Sequence, residues 1–350
     1  MDDTAGIAGL ARRYLPEILA IPGLVAGLLR PLAAGARGRL QSICLVLLLA
    51  GGVVGRHSEL QLSSAKPLAD QEPITPIPPP PAVDPQKLAL GERLFGDPRL
   101  SGDGKLACSS CHDLATNGAG AARNALAHDG TKAPFDTLTV FNASLSFRLN
   151  WEGNFRQLAE QAESSLENQT NMRTNVDEVL GKLNADAQMV QQFRDAYGSA
   201  PDRTNFLDAL VTFEKSLLTP GSRFDRWLDG DASVLSAAEF DGYQTFKSLG
   251  CSSCHQGVNV GGNLFERQGI FRPLVAAKPG IVRVPSLRNV AATAPYFHDG
   301  SASTLEEAVR RMGSAQLGWP LTDQQIVSIV AFLKTLTGSY RGKPVAGASP

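Results

Sequence analysis

The sequence predicts an all-α protein built from two similar halves that are joined by long irregular loops. The pentapeptide Cys-Ser-Ser-Cys-His occurs twice, beginning at Cys108 and at Cys251. Each copy follows a segment of helical spacing that keeps a Gly-x-x-x-Phe pattern, at 91–95 and at 242–246. Signals for β-strands are sparse from Gln86 onward. A duplicated helical unit accounts for all three observations.

The chain begins with a segment that is predicted to direct export. Residues 1–55 are interpreted as a signal peptide or membrane anchor region, because Arg37 and Arg39 precede the largely apolar stretch 40–55. The length of this stretch suits the core of a signal peptide and is slightly short for a membrane span. A cleaved signal and a retained inner-membrane anchor therefore both stay open. Cys44 lies within the stretch and is expected to be a small buried hydrophobe.

Residues 56–85 are predicted to form an extended linker or a mature N-terminal tail. The stretch 72–85, EPITPIPPPPAVDP, holds too many prolines for a packed helix and favours polyproline II. Two helical domains are expected to follow, over 86–221 and over 222–340. Residues 341–350 are interpreted as a tail.

Further helices are predicted inside both domains. The segments VDEVLGKLNADAQMVQQFRDAYG and RTNFLDALVTFEKSLL predict two or three helices in the first domain. In the second domain, TDQQIVSIVAFLKTLTG predicts an amphipathic helix with Thr322 as its N-cap and Gly338 as its end.

The repeated pentapeptide is typical of covalent haem attachment. Two thiols three residues apart can each add across a haem vinyl group, and the adjacent imidazole can then ligate the iron. The predicted attachment residues and proximal ligands are Cys108, Cys111 and His112 in the first copy and Cys251, Cys254 and His255 in the second. Four of the five cysteines are used in this way, which leaves no disulfide framework.

A zinc site and a redox dithiol are the alternatives to haem at these cysteine pairs. The two copies lie 143 residues apart, whereas a four-thiolate zinc site usually brings its pairs within a few tens of residues. Neither alternative needs the adjacent histidine, and no strand–helix–strand pattern indicates a thioredoxin-like fold. The charge balance, 33 basic against 34 acidic residues, shows no nucleic-acid footprint. The residues therefore favour two haems.

Two longer stretches resemble the bacterial di-haem cytochrome c peroxidases. The stretch 284–313, VPSLRNVAATAPYFHDGSASTLEEAVRRMG, is similar to a signature of that family, and 136–162 is similar to its inter-haem segment. The resemblance covers residues 86–338. It implies two cytochrome-c-like haem domains with long loops, in which the haems face each other across the domain interface.

The resemblance also implies the distal ligands of the two irons. Met312 stands 14 residues beyond His298, at the family's position for the methionine that ligates the C-terminal haem. A thioether stabilises reduced iron and suits this haem to accept electrons from a donor. His128 stands 16 residues beyond His112, where the family places a distal histidine on a mobile loop of the N-terminal, peroxidatic haem. Related enzymes that oxidise protein side chains carry tyrosine at the methionine position.

Further site residues are implied in the same way. Trp151 matches a tryptophan that lies between the haems, and Gln161 matches a glutamine beside the peroxide. The family's distal glutamate is replaced here by Asn171, which cannot carry a proton. A carboxylate nearby in sequence, Glu163 or Glu167, or a displaced His128, is expected to substitute for it. The alternative left open is a weak peroxidase that serves another purpose.

One calcium ion is a further expectation from the resemblance. Its ligands would be Asp136 and the backbone carbonyls of Thr293 and Pro295, since calcium prefers oxygen donors.

The function expected from the residues and the resemblance is that of a periplasmic peroxidase that reduces hydrogen peroxide to water. The electron donor would be a reduced small cytochrome or a copper protein. The protein would be soluble after signal cleavage or tethered to the inner membrane, and a homodimer is one open option for its assembly. A relative that oxidises aromatic side chains of a partner protein, and a two-haem electron carrier without catalysis, are the alternatives.

Overall fold

The computed structural model describes residues 71–120, 135–274 and 280–347, and these are mostly helical. The helices are α1 (Pro85–Phe95), α2 (Leu158–Glu167), α3 (Val176–Asn184), α4 (Ala187–Tyr197), α5 (Arg203–Ser216), α6 (Arg223–Leu228), α7 (Ala237–Ser248), α8 (Leu305–Met312) and α9 (Asp323–Lys334). Within these ranges no helix is both long and apolar enough to cross a membrane. The predicted signal or anchor, with Cys44, lies outside the described residues.

The repeated Gly-x-x-x-Phe pattern marks the helix crossing on which each half is built. A Cβ atom on Gly91 would lie 2.1 Å from the carbonyl oxygen of Ala209, so only glycine lets α1 cross α5 this closely. Gly242 does the same for α7 and α9, where a Cβ would lie 1.9 Å from the carbonyl oxygen of Ser328. In both halves a glycine therefore allows the helix before the pentapeptide to cross a second helix at close range, and this crossing is the architecture that the halves share.

The phenylalanines of the pattern seal the same crossings. The ring of Phe95 packs on Phe213 of α5, with centroids 5.3 Å apart. In the second half Phe246 packs on Phe332 of α9 at 5.1 Å. All four rings are buried. Each crossing is therefore packed with a pair of buried aromatic rings, one of which comes from the helix that precedes the pentapeptide.

Side-chain caps explain where several helices begin. Asp84 accepts hydrogen bonds from the amides of the first turn of α1, and Pro85 is preorganised as its first residue. Ser222 and Ser236 form capping boxes at the starts of α6 and α7. Thr322 caps α9, as predicted from the sequence. The predicted end of that helix was wrong, since α9 stops at Lys334.

β-structure in the described part of the chain consists of two small antiparallel pairs of strands and two isolated bridges, Leu149 with Phe155 and Tyr296 with Ala302. Strand β1 (Phe265–Arg267) pairs with β2 (Ile281–Arg283), and β3 (Ser339–Tyr340) pairs with β4 (Lys343–Pro344). These hairpins decorate the loops and do not form a core. The described residues thus agree with the predicted all-α class.

The predicted linker is not a free spacer over residues 72–77. Residues 72–77, which we call the strap, lie against the second half, where Ile74 is fully buried in the apolar core. Glu72 accepts hydrogen bonds from the hydroxyl of Tyr243 and, at 3.1 Å, from the ammonium group of Lys247. Polyproline-like backbone leaves its carbonyls unpaired, so they remain available to the second half. The strap is therefore part of the C-terminal domain.

The predicted tail is also part of the fold as far as Val345. This residue is buried and belongs to an apolar cluster that includes Phe95 and Phe213 of the first half. Arg341 forms a bidentate ion pair with Glu92 of α1, with N–O distances of 2.8 and 2.7 Å. The end of the chain thus returns to the first half, while the strap lies against the second, so the two halves exchange terminal segments.

Candidate haem centres and the interface between them

The first pentapeptide forms a short turn that presents two thiols and an imidazole. Residues Cys108–Ser110 adopt one turn of 3₁₀-helix, after which Cys111 and His112 follow. The His112 Nδ1 lies 3.0 Å from the carbonyl oxygen of Gly118. A hydrogen bond from Nδ1–H to this carbonyl fixes the tautomer and leaves Nε2 unprotonated, which is the form that ligates a metal.

The second pentapeptide repeats this geometry. Cys251–Ser253 form the same turn, and the Nδ1 of His255 lies 3.3 Å from the carbonyl oxygen of Val260. Phe246 packs against the His255 ring with centroids 6.4 Å apart, as Phe95 packs against His112 at 6.5 Å. Two loops with the same sequence therefore hold two imidazoles in the same way.

Burial keeps these groups electrically neutral. Removal from water lowers the pKa of His112, and it lowers the pKa of His255 to about 4, so both imidazoles are uncharged at neutral pH. Burial raises the pKa of the Cys108 thiol to about 12 and of the Cys251 thiol to about 11. Zinc requires thiolates, whereas addition to a vinyl group starts from thiols.

The remaining cysteine evidence also favours haem. All four described cysteines are free thiols and form no disulfide. Among the residues that the structure describes, no group of three or more histidine, cysteine, aspartate or glutamate side chains could hold a metal ion. The two cysteine pairs therefore do not combine into one zinc centre, and each is left with its own histidine.

The surroundings of the loops also fit a large acidic macrocycle. Arg283 is buried, and none of the ion pairs among the described residues includes it. Desolvation lowers its pKa to about 10, a cost that the carboxylates of a haem would relieve. The Nε of Arg148 is likewise buried without a hydrogen-bond partner among the described residues. The carboxylates of a bound haem would pair with this buried nitrogen and with the guanidinium of Arg283, whose Nε donates only to the carbonyl oxygen of Asn150, at 3.0 Å.

Trp151, Asp136 and His298 meet in one cluster. The indole N–H of Trp151 donates to the carbonyl oxygen of Asp136 at 2.9 Å, and the Asp136 amide donates to the carbonyl oxygen of His298 at 2.7 Å. The His298 ring lies edge-on to the indole, with centroids 6.3 Å apart. The predicted relay tryptophan and the predicted calcium ligand therefore share one rigid cluster with the signature histidine.

The predicted distal residues lie on and just after α2. The side-chain amide of Gln161 donates to the hydroxyl of Ser165, one turn later, at 2.8 Å. Asn171 is exposed and belongs to the turn after the helix, where its amide donates to the carbonyl oxygen of Asn168 at 3.0 Å. No carboxylate stands at the position where the family implies one.

Glu163 and Glu167 are poorly placed to substitute for that acid. At about 100° per residue, Glu163 projects roughly 200° and Glu167 roughly 240° around the helix from Gln161. Glu163 is also engaged by the guanidinium of Arg203, at 2.5 Å. Both carboxylates therefore face away from the glutamine.

Met312 is the last residue of α8 and enters a short π-helical turn, Gly313–Leu317. Such turns are frequent at functional sites, because the extra residue displaces a side chain from the regular helix face. The other internal methionines, Met172 and Met189, are buried in the core of the first half. Only Met312 belongs to the second half. His128 lies outside the described residues.

Glu214 of α5 is a site residue that sequence reasoning missed. Its Oε2 is buried without a hydrogen-bond partner among the described residues, and its charge acts on the Cys108 thiol. Desolvation raises the pKa of this carboxyl to about 8. In the sequence, the only indication was that Glu214 directly follows the apolar residue Phe213 on a predicted helix.

These features define a c-type cytochrome with one haem-binding loop in each half. Residues 85–233 match the family model of the di-haem cytochrome c peroxidases, and residues 240–337 match that of cytochrome c. The cytochrome c551 peroxidase of Nitrosomonas europaea is 38% identical over 295 residues, which cover 79% of this chain and 87% of that protein. The chain belongs to the family of bacterial di-haem cytochrome c peroxidases, and it carries two covalently bound c-type haems.

Two further relatives support this assignment. The cytochrome c peroxidase Ccp of Escherichia coli is 39% identical over 287 residues, which cover 77% of this chain and 62% of that longer protein. A crystal structure of a MauG-like protein associated with microbial copper homeostasis superimposes with a TM-score of 0.64 at 27% identity, over 75% of this chain and 93% of that one. Sequence and fold thus agree on the family.

Proposed function

We propose that this protein is an exported peroxidase that reduces hydrogen peroxide at its N-terminal haem with electrons that enter at its C-terminal haem. The observation that carries this proposal is the pair of equivalent loops, each with an imidazole fixed through Nδ1. Only the second half has a methionine, Met312, at the position where the resemblance implies an iron ligand, because both methionines of the first half are buried in its core. An electron carrier closes both axial positions of both irons, whereas a peroxidase must open one. The donor would be a reduced small cytochrome or a copper protein.

The haems, when bound, supply the one-electron chemistry and the iron that binds peroxide. Met312 would ligate the second iron and raise its potential, which favours electron entry there. Trp151 would stand between the two haems, held by its hydrogen bond to Asp136. A calcium ion bound by Asp136 and the carbonyls of Thr293 and Pro295 would stiffen the same cluster.

On the peroxide side, the chain must move a proton from the near oxygen of the peroxide to the leaving oxygen, so that water can depart. A positioned acid–base group contributes about 100- to 10,000-fold to such a step. Gln161 can hydrogen-bond and orient peroxide but cannot transfer the proton. Because Glu163 is held by Arg203, we assign this role to His128, whose ordinary pKa of about 6.5 suits it. His128 would close the first iron at rest and act as the base once displaced.

The test is peroxide-dependent oxidation of a reduced small cytochrome by the purified protein, measured beside Asn171→Glu. If His128 supplies the proton, the wild type is fast and Asn171→Glu gains less than about tenfold, that is, less than about 1.4 kcal/mol of barrier. The matched control is Gln169→Glu, which adds the same charge two residues away on the same exposed turn. A gain of tenfold or more at Asn171 alone would show that the acid is missing.

The second candidate function is oxidation of aromatic side chains in a partner protein. The similarity to a MauG-like structure supports this candidate. The methionine at position 312 speaks against it, because the resemblance places tyrosine there in such enzymes. Turnover of peroxide with a small cytochrome, but not with an aromatic protein substrate, would decide between them. We further propose a periplasmic location, either soluble or tethered to the inner membrane, and leave a homodimer as an option.

A further inference from the structure

The two halves end in the same asparagine-centred arrangement. Asn142 and Asn289 both adopt left-handed backbone, with φ of 61° and 60°. The amide of Asn142 donates to the carbonyl oxygen of Leu217 just after α5, at 2.8 Å, and the amide of Asn289 donates to that of Leu336 just after α9, at 3.2 Å. The structure therefore repeats not only the haem loops but also the element that ties each half together.

The side chains of these asparagines close the same turn in each half. The Oδ1 of Asn142 accepts from the amide of Thr219, and the Oδ1 of Asn289 accepts from the amide of Gly338, both at 2.9 Å. A Cβ atom at Gly338 would lie 1.9 Å from the carbonyl oxygen of Thr219. The two turns therefore lie back to back, and the glycine is required by their close approach.

One hydroxyl joins the two arrangements. The Oγ1 of Thr219 accepts from the Nδ2 of Asn142 at 2.8 Å and from the Nδ2 of Asn289 at 2.9 Å. All three residues are buried, with at most 1% of their surface exposed. A hydroxyl has two acceptor lone pairs, and both are used here, one for each half. Serine would keep this shared acceptor, whereas valine, of similar shape, would leave both amides without it.

Each arrangement connects directly to a proximal histidine. Two residues before Asn142, the amide of Val140 donates to the carbonyl oxygen of Gly118, which is the partner of His112. Two residues before Asn289, the amide of Leu287 donates to the carbonyl oxygen of Val260, the partner of His255. Hydrogen bonds, joined by two short stretches of backbone (140–142 and 287–289), thus connect one imidazole to the other through Thr219.

The haem loops also reach across the interface themselves. Asn117, next to Gly118, donates from Nδ2 to the carbonyl oxygen of Ala292 in the second half at 2.8 Å. Asn259, next to Val260, donates from Nδ2 to the carbonyl oxygen of Asn142 in the first half at 3.1 Å. Both side chains are buried. A displacement of either haem loop would therefore also shift residues of the opposite half.

We propose that Thr219 is a positioning residue for the peroxidase reaction, whose hydroxyl holds the two proximal-histidine loops in a fixed mutual orientation. Thr219 forms no hydrogen bond to a proximal histidine or to an attachment cysteine among the described residues. It acts through Asn142 and Asn289, so that the geometry of each imidazole depends on the opposite half. The relative orientation of the two haems during electron transfer would then be fixed by the protein before the reaction begins.

The experiment compares Thr219→Val with Thr335→Val in the full-length protein with both haems attached. Thr335 is an equally buried threonine, but its hydroxyl donates only to Phe332 within its own half. Both variants are expected to lower the midpoint of thermal unfolding. Only Thr219→Val is expected to change the low-spin ferric signals of both haems in electron paramagnetic resonance, because these report the orientation of the axial imidazoles.

Two further variants complete the test. Thr219→Ser keeps the shared acceptor and is expected to restore the wild-type signals, and Thr219→Ala replaces the valine variant if that protein cannot be isolated. The proposal is overturned if removing the Thr219 hydroxyl leaves both signals as they are in Thr335→Val, or changes the signal of one haem only. Because the readout is spectroscopic, it does not depend on the identity of the donor or of the distal acid.

Discussion

Replacing Arg288 by methionine should unfold the strap and destabilise the whole C-terminal half. The guanidinium is fully buried and donates in three directions, to Asp225 at 2.7 Å, to the carbonyl oxygen of Thr75 in the strap at 2.7 Å, and to that of Val258 in the second haem loop at 2.8 Å. Methionine fills a similar volume but satisfies none of these acceptors. The substitution therefore leaves Asp225 as a buried carboxylate without its counter-charge.

The magnitude follows from that uncompensated charge. Breaking a buried ion pair by removing one partner costs about 3–5 kcal/mol, whereas an exposed pair contributes about 0–1 kcal/mol. Arg341→Met is the matched control, because Arg341 also pairs with a carboxylate, that of Glu92, but at the surface. In denaturant titration Arg288→Met should lose at least about 3 kcal/mol and Arg341→Met at most about 1 kcal/mol.

Hydrogen exchange separates loss of the strap from general destabilisation. The amide of Gly257, in the second haem loop, donates to the carbonyl oxygen of Pro73 in the strap at 2.7 Å. This amide should exchange much faster in Arg288→Met and at its normal rate in Arg341→Met. Equal stability losses in the two variants, or an unchanged Gly257 amide, would refute the view that Arg288 anchors the strap.

Three other changes have defined outcomes. Gly242→Ala should cost about 1–3 kcal/mol in denaturant titration, because its Cβ would collide with Ser328, whereas Gly181→Ala, with open space around it, should gain about 0.5–1 kcal/mol; a neutral Gly242→Ala would contradict the close crossing. Met312→His should lower the midpoint potential of the second haem in spectroelectrochemistry, and an unchanged potential would exclude Met312 as its ligand. Glu214→Gln should stabilise the protein by about 1–3 kcal/mol at pH 8 and by little near pH 5. The folded carboxyl, with a pKa of about 8, keeps a proton that the unfolded chain releases above about 4.5, so stability is lost as pH rises through this window; a gain independent of pH would contradict the assignment.

The duplicated unit could be predicted because its signals are local. The pentapeptide, the Gly-x-x-x-Phe pattern and the cap at Thr322 each depend on residues a few positions apart. The strap could not be predicted, since a proline-rich composition is the same in a free spacer and in a segment whose carbonyls meet a buried arginine 213 residues away. The role of Thr219 was hidden for a similar reason, because nothing near it in sequence distinguishes a threonine that accepts two hydrogen bonds from one that accepts none.

The residues of the candidate site also fall into those that a local motif predicts and those that depend on distant contacts. The attachment residues and proximal histidines follow from the motif alone, and the structure adds the carbonyls of Gly118 and Val260 that orient the rings. The resemblance to the family supplied Trp151 and Met312, which no local pattern marks. Glu214 was missed because a single glutamate on an amphipathic helix is ordinarily exposed, and only the crossing of α1 and α5 carries it into the interior.

The exchange of terminal segments between the halves has a consequence for the order in which the protein can be made. The strap emerges from the ribosome before the first half, yet its anchor Arg288 follows Thr75 by 213 residues, about 10–40 s of synthesis. The first half, in turn, completes its contact between Glu92 and Arg341 only 249 residues later. Neither half can therefore reach its final state while the other is still being made. The chain is a duplication in sequence, but during biogenesis it must mature as a single unit.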